Sequence, residues 1–584
     1  MPKIAIVHKD RCNPQGCGGY LCIRVCPVNR MGKEHITIDP FDKKIRINPE
    51  LTGFGCAIEA NRCPFSAIEL INLPEELAQQ PIHQYGLNGF HLFRLPMPVF
   101  GKVLGIIGQN GIGKSSCLRI LAGILQPNLG KEKASLAQLL EHFKGTEAQP
   151  FFQALAEKKI TASFKPQQVD LIPKQFKGKL IDFLKKFDQK GQMHEVVEKL
   201  GLTPLLERQM DVLSGGELQR AAIAAASLKA ANLYLFDEPT NFLDIKERLV
   251  VANFISSLAT PSAVVVADHD LLILDSMVQL VHILYGKAAC YGLVSHPMAV
   301  RTGINTYLSG YIREEKMKFR QSEIRFETKP PVVKREGEEI TSWAGLSKKL
   351  GEFVLKTGQG KIFCKEVIGV VGENGIGKTT FAKILAGQLE PDSGELHKKV
   401  TIGYKPQYLE TNSEELVGSI LEEAVVKYEN ELIKPLELKW LLGKPLNELS
   451  GGELQRVAIA HCLSHEAKLY LLDEPSAYLD VEQRLAVARL IRDVAEKREC
   501  AILVIDHDLM FIDYVSNRLM VFNGNPGISG LAEGPFDMEN GMNAFLSSVG
   551  ITIRRDLESK RPRINKPGSR LDREQKASGK YYYS

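Results

Sequence analysis

Apolar residues in this chain come in short runs, and their flanking polar residues predict a strand-and-helix alternation that occurs twice. Val103-Leu-Gly-Ile-Ile-Gly108 reads as a buried strand, followed by a glycine-rich loop and an apolar helix over Ser116–Ala122. Further on, Leu233–Phe236 and Leu469–Leu472 read as apolar strands that end on Asp237 and Asp473. Two more, Ala263–Ala267 and Ala501–Ile505, lead into Asp268-His269 and Asp506-His507. The richest apolar stretch, Ala221–Phe236, is broken by Lys229 and Asn232. It falls short of the ~20 residues a membrane helix needs.

Four landmarks recur in the same order. Gly108-Gln-Asn-Gly-Ile-Gly-Lys114-Ser115 returns as Gly372-Glu-Asn-Gly-Ile-Gly-Lys378-Thr379, and Leu213-Ser-Gly-Gly-Glu-Leu-Gln-Arg220 returns unchanged as Leu449–Arg456. Asp237-Glu238 pairs with Asp473-Glu474, and Asp268-His269-Asp270 with Asp506-His507-Asp508. A period this long marks a domain duplication and excludes a solenoid. Lys114 to Gln167 spans 53 residues, whereas Lys378 to Gln407 spans 29, so the first copy holds an insertion. Two short amphipathic helices are expected there, Leu136–Phe143 and Phe151–Lys158, as a docking element or a decoration.

The 584 residues suffice for roughly four domains. The net charge of +5 is exceeded by the tail alone, where Ile551–Ser584 has ten Lys/Arg against four Asp/Glu. Such a tail suits an acidic partner such as RNA, or is solvated surface. The first residues, Met-Pro-Lys-Ile-Ala-Ile, lack a signal pattern, which predicts a cytoplasmic protein without membrane partners. Six of eleven cysteines lie within Cys12–Cys63. In a reducing compartment that clustering points to metal rather than disulfides.

The repeated motifs suit ATP chemistry. Strand, glycine loop and helix form a phosphate cradle, here Gly108, Asn110, Gly111, Gly113, Lys114, Ser115 and Ser116, then Gly372, Asn374, Gly375, Gly377, Lys378, Thr379 and Thr380. Lys114 and Lys378 supply charge to the β- and γ-phosphates, and Ser115 and Thr379 a hydroxyl to Mg²⁺. Asp237 and Asp473 hold Mg²⁺ through water, Glu238 and Glu474 orient or deprotonate the attacking water, and His269 and His507 reach the γ-phosphate. Gln167 and Gln407, each in Lys-Pro-Gln, sense metal and water. Taken singly, the carboxylates could be strand-end caps and the histidines surface residues; the ordered set argues otherwise. Leu-Ser-Gly-Gly-Glu-Leu-Gln-Arg resembles the signature of ATP-binding-cassette ATPases. That resemblance implies two cassettes facing head to tail within one monomer. Ser450, Gly451 and Gly452 would complete the first nucleotide site, and Ser214, Gly215 and Gly216 the second. Tyr85 with Phe90, and Phe353, either stack on adenine or pack in the core.

Cys12-x4-Cys17-x4-Cys22-x3-Cys26-Pro27 resembles one ligand run of a two-cluster ferredoxin, and Cys56-x6-Cys63-Pro64 the end of another. The exchange of fourth cysteines in such pairs implies one cluster on Cys12, Cys17, Cys22 and Cys63. The other would retain only Cys56 and Cys26, with Glu59 a poor third and Gly53 in place of a ligand. One [4Fe–4S] cluster is therefore expected, not two; zinc on the same thiolates, or a metal-free domain, are the alternatives.

The cysteine-rich start, the insert, the two cassettes and the basic tail together resemble the ABCE family, the RNase L inhibitor or ribosome-recycling ATPases. The most specific segments are Lys165–Lys174, Gly303–Tyr311 and Arg561–Gln575. The resemblance implies an α/β fold with two P-loop cassettes behind a ferredoxin-like α+β domain. Expected boundaries are 1–75 for the metal domain, 76–287 for cassette 1 with its insert near 131–160, and 288–340 for a hinge. Cassette 2 follows at 341–524, then a hinge and tail at 525–584. It further implies an ATPase that splits ribosomes after termination and stays on the small subunit, contacting rRNA and protein, with a release factor of archaeal or eukaryotic type as partner. A regulatory ribosome-bound paralogue and an ATPase for iron–sulfur cluster transfer are the other readings.

Overall fold

A computed structural model describes residues 3–52, 57–72, 80–326, 337–397, 400–407 and 413–582. Cys56 and Gly53 lie outside them.

Each half is built on a mixed sheet whose centre is parallel. In the first half the central order is Leu280–Lys287, Val103–Ile107, Ala263–Ala267, Leu233–Asp237 and Ala162–Lys165, all parallel to their neighbours. These strands are covered on both faces, which explains their unbroken apolar sequence. The second half repeats the order with Arg518–Asn525, Val367–Val371, Ala501–Ile505, Leu469–Asp473 and Ile402–Lys405. Parallel register sets Ala267 beside Asp237, and Ile505 beside Asp473. The motif residues that follow these strands therefore gather at one end of each sheet, where open α/β folds place ligands.

The insert forms helices Leu136–His142 and Ala148–Ala156. Ser135 and Gln138 close a capping box at the first. Phe143 stacks on Phe152 at 5.1 Å, and both are buried in the first half's core.

The small N-terminal domain pairs Lys3–Val7 with Ile68–Asn72 and Ile36–Ile38 with Ile45–Ile47, both antiparallel, around helices Leu21–Val25, Pro27–Arg30 and Ala57–Arg62. Asn88 joins it to the first half by donating to the carbonyls of Ala5 and Ile47 and accepting from the Ile47 amide. A second contact reaches the other half: Lys444 pairs with Asp10 at 2.9 Å, and the Arg11 guanidinium lies 4.3 Å above the Trp440 ring.

The tail is a free cationic surface only in part, through residues such as Lys566, Arg570 and Lys580. Arg561 is fully buried and pairs with Asp275 of the first half, as does Arg563. Arg555 pairs with Asp513 of the second half. The basic residues that read as an RNA-binding tail thus include three arginines that tie the C-terminal segment to both halves. Among the described residues no helix is long and apolar enough to cross a membrane.

Candidate nucleotide and metal sites

Both glycine loops join a buried strand to a helix, Lys114–Leu121 in the first half and Lys378–Leu385 in the second. Gly113 and Gly377 have φ of 102° and 94°, and a Cβ there would strike the ring of Phe90 or Phe353. Glycine alone satisfies both demands. Phe90, rather than Tyr85, is thus the counterpart of Phe353; Tyr85 instead hydrogen-bonds Ser116 at 2.9 Å. The Lys114 ammonium donates to the carbonyls of Gly108 and Gln109, each at 2.9 Å, and Lys378 does the same with Gly372 and Glu373. Burial lowers both lysine pKa values, Lys378 to about 8.

Thr379 donates to Asp473 at 2.8 Å, and Ser115 hydrogen-bonds Asp237. Burial raises both aspartates. Glu238 and Glu474 follow with φ of 47° and 48°, a left-handed backbone rarely accepted by non-glycine residues. Strain of this kind persists where the surroundings enforce it. The enforcers are visible. Buried Lys165 donates to the carbonyls of Asp237 and Glu238, and Gln219 also donates to that of Glu238. Lys405 and Gln455 do the same in the second half.

His269 sits 3.5 Å from Glu238 and His507 3.6 Å from Glu474. Gln407 donates to Glu474 at 2.7 Å, and Gln167 hydrogen-bonds Glu238. The two carboxyls differ in charge balance. Burial works against the Glu238 carboxylate, but His269, Lys114 and Gln167 outweigh it and hold its pKa at about 2. Burial, reinforced by Asp473 and Asp506, raises Glu474 to about 7.

Ser214 and Ser450 cap the signature helices Gly215–Leu228 and Gly451–Ser464. The hydrogen bonds that cross between halves run to other residues. Asp480 accepts Gln483 N–H on one oxygen, capping its helix, and Asn110 N–H at 2.9 Å on the other. Asp244 accepts Glu247 N–H and, across the interface, Asn374 N–H at 3.0 Å. Asn110 also donates to the Tyr478 carbonyl, and Gln109 to Glu482, which Arg320, from the segment between the two sheets, holds from its other oxygen. Each phosphate loop therefore faces the opposite half. Asp244 and Asp480 are not among the residues singled out from sequence, although both close a repeated Leu-Asp.

In the N-terminal domain Cys12, Cys17, Cys22 and Cys63 line one apolar cavity with Pro14 and Phe65. Burial pushes Cys22 up to about 12 and raises Cys12, each further raised by the neighbouring thiols. Four thiols converging in an apolar pocket fit a four-thiolate iron–sulfur cluster. Cys26 points elsewhere, toward His35 at 3.3 Å. With Glu59 these two form a buried trio. His35 was absent from the sequence expectation because no cysteine spacing marks it.

Two P-loop halves, each facing the other across a reciprocal aspartate, and no described helix able to span a membrane, define a twin-cassette ATPase. The family profile described as ABC transporter matches residues 99–241 and 355–477, and that described as "Possible Fer4-like domain in RNase L inhibitor, RLI" matches residues 2–34. An ABC transporter ATP-binding protein of Methanocaldococcus jannaschii is 48% identical over all of this chain and 97% of its own. ABC transporter E family member 1 of Arabidopsis thaliana is 41% identical over all of this chain and 99% of its own. A structure of ribosome-bound archaeal Pelota and ABCE1 superposes with a TM-score of 0.94 at 49% identity, covering 100% of this chain and 99% of that one. The chain belongs to the ABCE family of RNase L inhibitor proteins.

Proposed function

We propose that this ATPase binds ribosomes and splits them into subunits after termination, stays on the small subunit when closed, and is reset by hydrolysis. The observation that carries the reading is the pair of crossed aspartates, Asp480 on the Asn110 amide and Asp244 on the Asn374 amide. Nucleotide bound on either loop touches an element already tied to the other half, so binding is converted into relative motion of the halves. The N-terminal domain is bonded to both halves through Asn88 and through Asp10 and Arg11, so it must follow that motion. The ribosome as partner is supported by solved structures of similar proteins, one titled as ribosome-bound Pelota and ABCE1 and one as a recycling factor with a ribosomal stalk protein; a release factor of the archaeal or eukaryotic type is the further partner of this reading.

Lys114 and Lys378 neutralise the phosphates, with the loop amides and helix N-termini behind them. Ser115, Asp237 and Gln167, and Thr379, Asp473 and Gln407, would hold Mg²⁺ and order water, and the bound ion would supply positive charge against the phosphates. Glu238 and Glu474 orient or take the proton of the attacking water, and His269 and His507 position them. Phe90 and Phe353 support the loops from beneath. Ser214, Gly215 and Gly216, and Ser450, Gly451 and Gly452, offer helix N-termini to the opposite nucleotide. One iron–sulfur cluster, held by Cys12, Cys17, Cys22 and Cys63, would cross-link the N-terminal domain into a stiff lever.

Light scattering of purified cognate ribosomes, with anoxically prepared protein and release factor, tests the reading. ATP is expected to lower the scattering as subunits part. The Glu238→Gln/Glu474→Gln double variant is expected to bind ATP and remain on the small subunit. Continued hydrolysis with unchanged scattering would instead assign a regulatory role on intact ribosomes.

A further inference from the structure

The trio of Cys26, His35 and Glu59 is one of two clusters of potential metal-ligating side chains among the described residues, and the one that lies wholly within the N-terminal domain. All three are buried, with at most 1% of each exposed. They arrive from separate elements. Cys26 caps helix Pro27–Arg30, His35 leads into strand Ile36–Ile38, and Glu59 projects from helix Ala57–Arg62. Neither carboxylate oxygen of Glu59 has a hydrogen-bond partner among the described residues. Buried charge is tolerated when paired or bound to metal, and the groups that face this carboxylate are the Cys26 thiol and the His35 ring, both of them metal-binding side chains.

Their spacing matches a coordination sphere. Cys26 Sγ lies 3.3 Å from His35 Nδ1, His35 Nδ1 lies 3.9 Å from Glu59 Oε1, and all three donor atoms fall within 4.8 Å of one another. Tetrahedral zinc, with about 2.3 Å to sulfur and about 2.0–2.1 Å to nitrogen or oxygen, sets donors roughly 3.3–3.6 Å apart. Small rotations close the difference. Asn29 fixes the approach: its amide donates to Cys26 Sγ, and its side-chain oxygen accepts the backbone N–H groups of His35 and Ile36. Backing of this kind is what orients metal ligands.

The donor set also discriminates. A four-iron cluster asks for four thiolates. Four of the six early cysteines line the other cavity, leaving only Cys26 and Cys56. One thiolate, one neutral imidazole and one carboxylate suit a borderline divalent cation, and their two negative charges balance it in a buried place. The comparable trio of His8, Glu69 and Cys290 already holds a cation, since Lys287 pairs with Glu69.

We propose that Cys26, His35 and Glu59 bind a single zinc ion, which fastens helix Ala57–Arg62 to the 26–36 segment where a second cluster would otherwise sit. Binding releases the thiol proton of Cys26, and water or one further donor fills the fourth position.

Elemental analysis of the full chain, purified anoxically without chelator, tests this. About one zinc is expected beside about four iron and as many labile sulfides. Glu59→Gln and His35→Gln are each expected to lose the zinc and keep iron and sulfide. Zinc-edge X-ray absorption of the unmutated protein is expected to show one sulfur and two or three lighter neighbours, a readout independent of how the variants fold. About eight iron without zinc, zinc surrounded by four sulfurs, or zinc retained in both variants would overturn the proposal.

Discussion

Glu238 and Glu474 occupy equivalent positions with equally strained backbones, yet their neighbours hold their protons differently. A carboxyl near 2 stays ionised throughout the working range, whereas one near 7 is ionised above that pH and protonated below it. A general base must be ionised to act. In Glu238→Gln, which leaves Glu474 as the remaining base, turnover is expected to fall about tenfold between pH 8 and pH 6. In Glu474→Gln the profile should stay flat over that range. Steady-state ATPase measurements on the two single variants check it, and matching profiles would refute the difference. At the same scale, Asp244→Asn/Asp480→Asn keeps one oxygen for each helix cap and gives up the charged bond across the interface. Charge-assisted bonds of this type are worth about 1.5–3 kcal/mol. Turnover should drop by roughly tenfold or more while the melting temperature hardly moves. A normal rate would mean that closure does not use these contacts.

Among the elements, the C-terminal hairpin Ile553–Arg555 and Pro562–Ile564 shows what composition hides. Counting charges in the tail could not distinguish Arg570, largely exposed, from Arg561, fully enclosed. Burial depends on a partner 286 residues away, and no local pattern carries that. Asp275 is the partner that matters, since Arg561 and Arg563 both converge on it. Asp275→Asn removes the ion-pair partner of buried Arg561 and leaves Arg563 only Asp556, at a cost of about 3–5 kcal/mol. Hydrogen exchange over residues 551–582 should quicken sharply, with the cassette cores unaffected. Unchanged exchange there would show that the hairpin is held by packing alone. The strands and phosphate loops were legible because repetition fixes order and apolar runs fix burial. The insert helices were legible from their spacing. Lys165 and Lys405 were quoted only as neighbours of a glutamine, because nothing in sequence shows that an ammonium reaches back beneath the following aspartate and glutamate.

Across the whole molecule, duplication announced two catalytic centres but not how they are joined. The joins lie in Asp244, Asp480, Glu482 and Arg320, and in the N-terminal domain's grip on both halves. Such contacts depend on how folded units meet, which spacing within one unit does not encode. One of them gives the molecule an internal gauge. The chain has two tryptophans. Trp343 is sealed in the core of the second half, 2% exposed, edge-on to Phe381. Trp440 is half-buried at the seam, flanked by Arg11 of the N-terminal domain and Lys444 of its own half. Light emitted by the first is indifferent to how the domains are arranged. That from the second is expected to change when the guanidinium leaves its ring, so the unlabelled protein carries its own optical record of where the N-terminal domain sits.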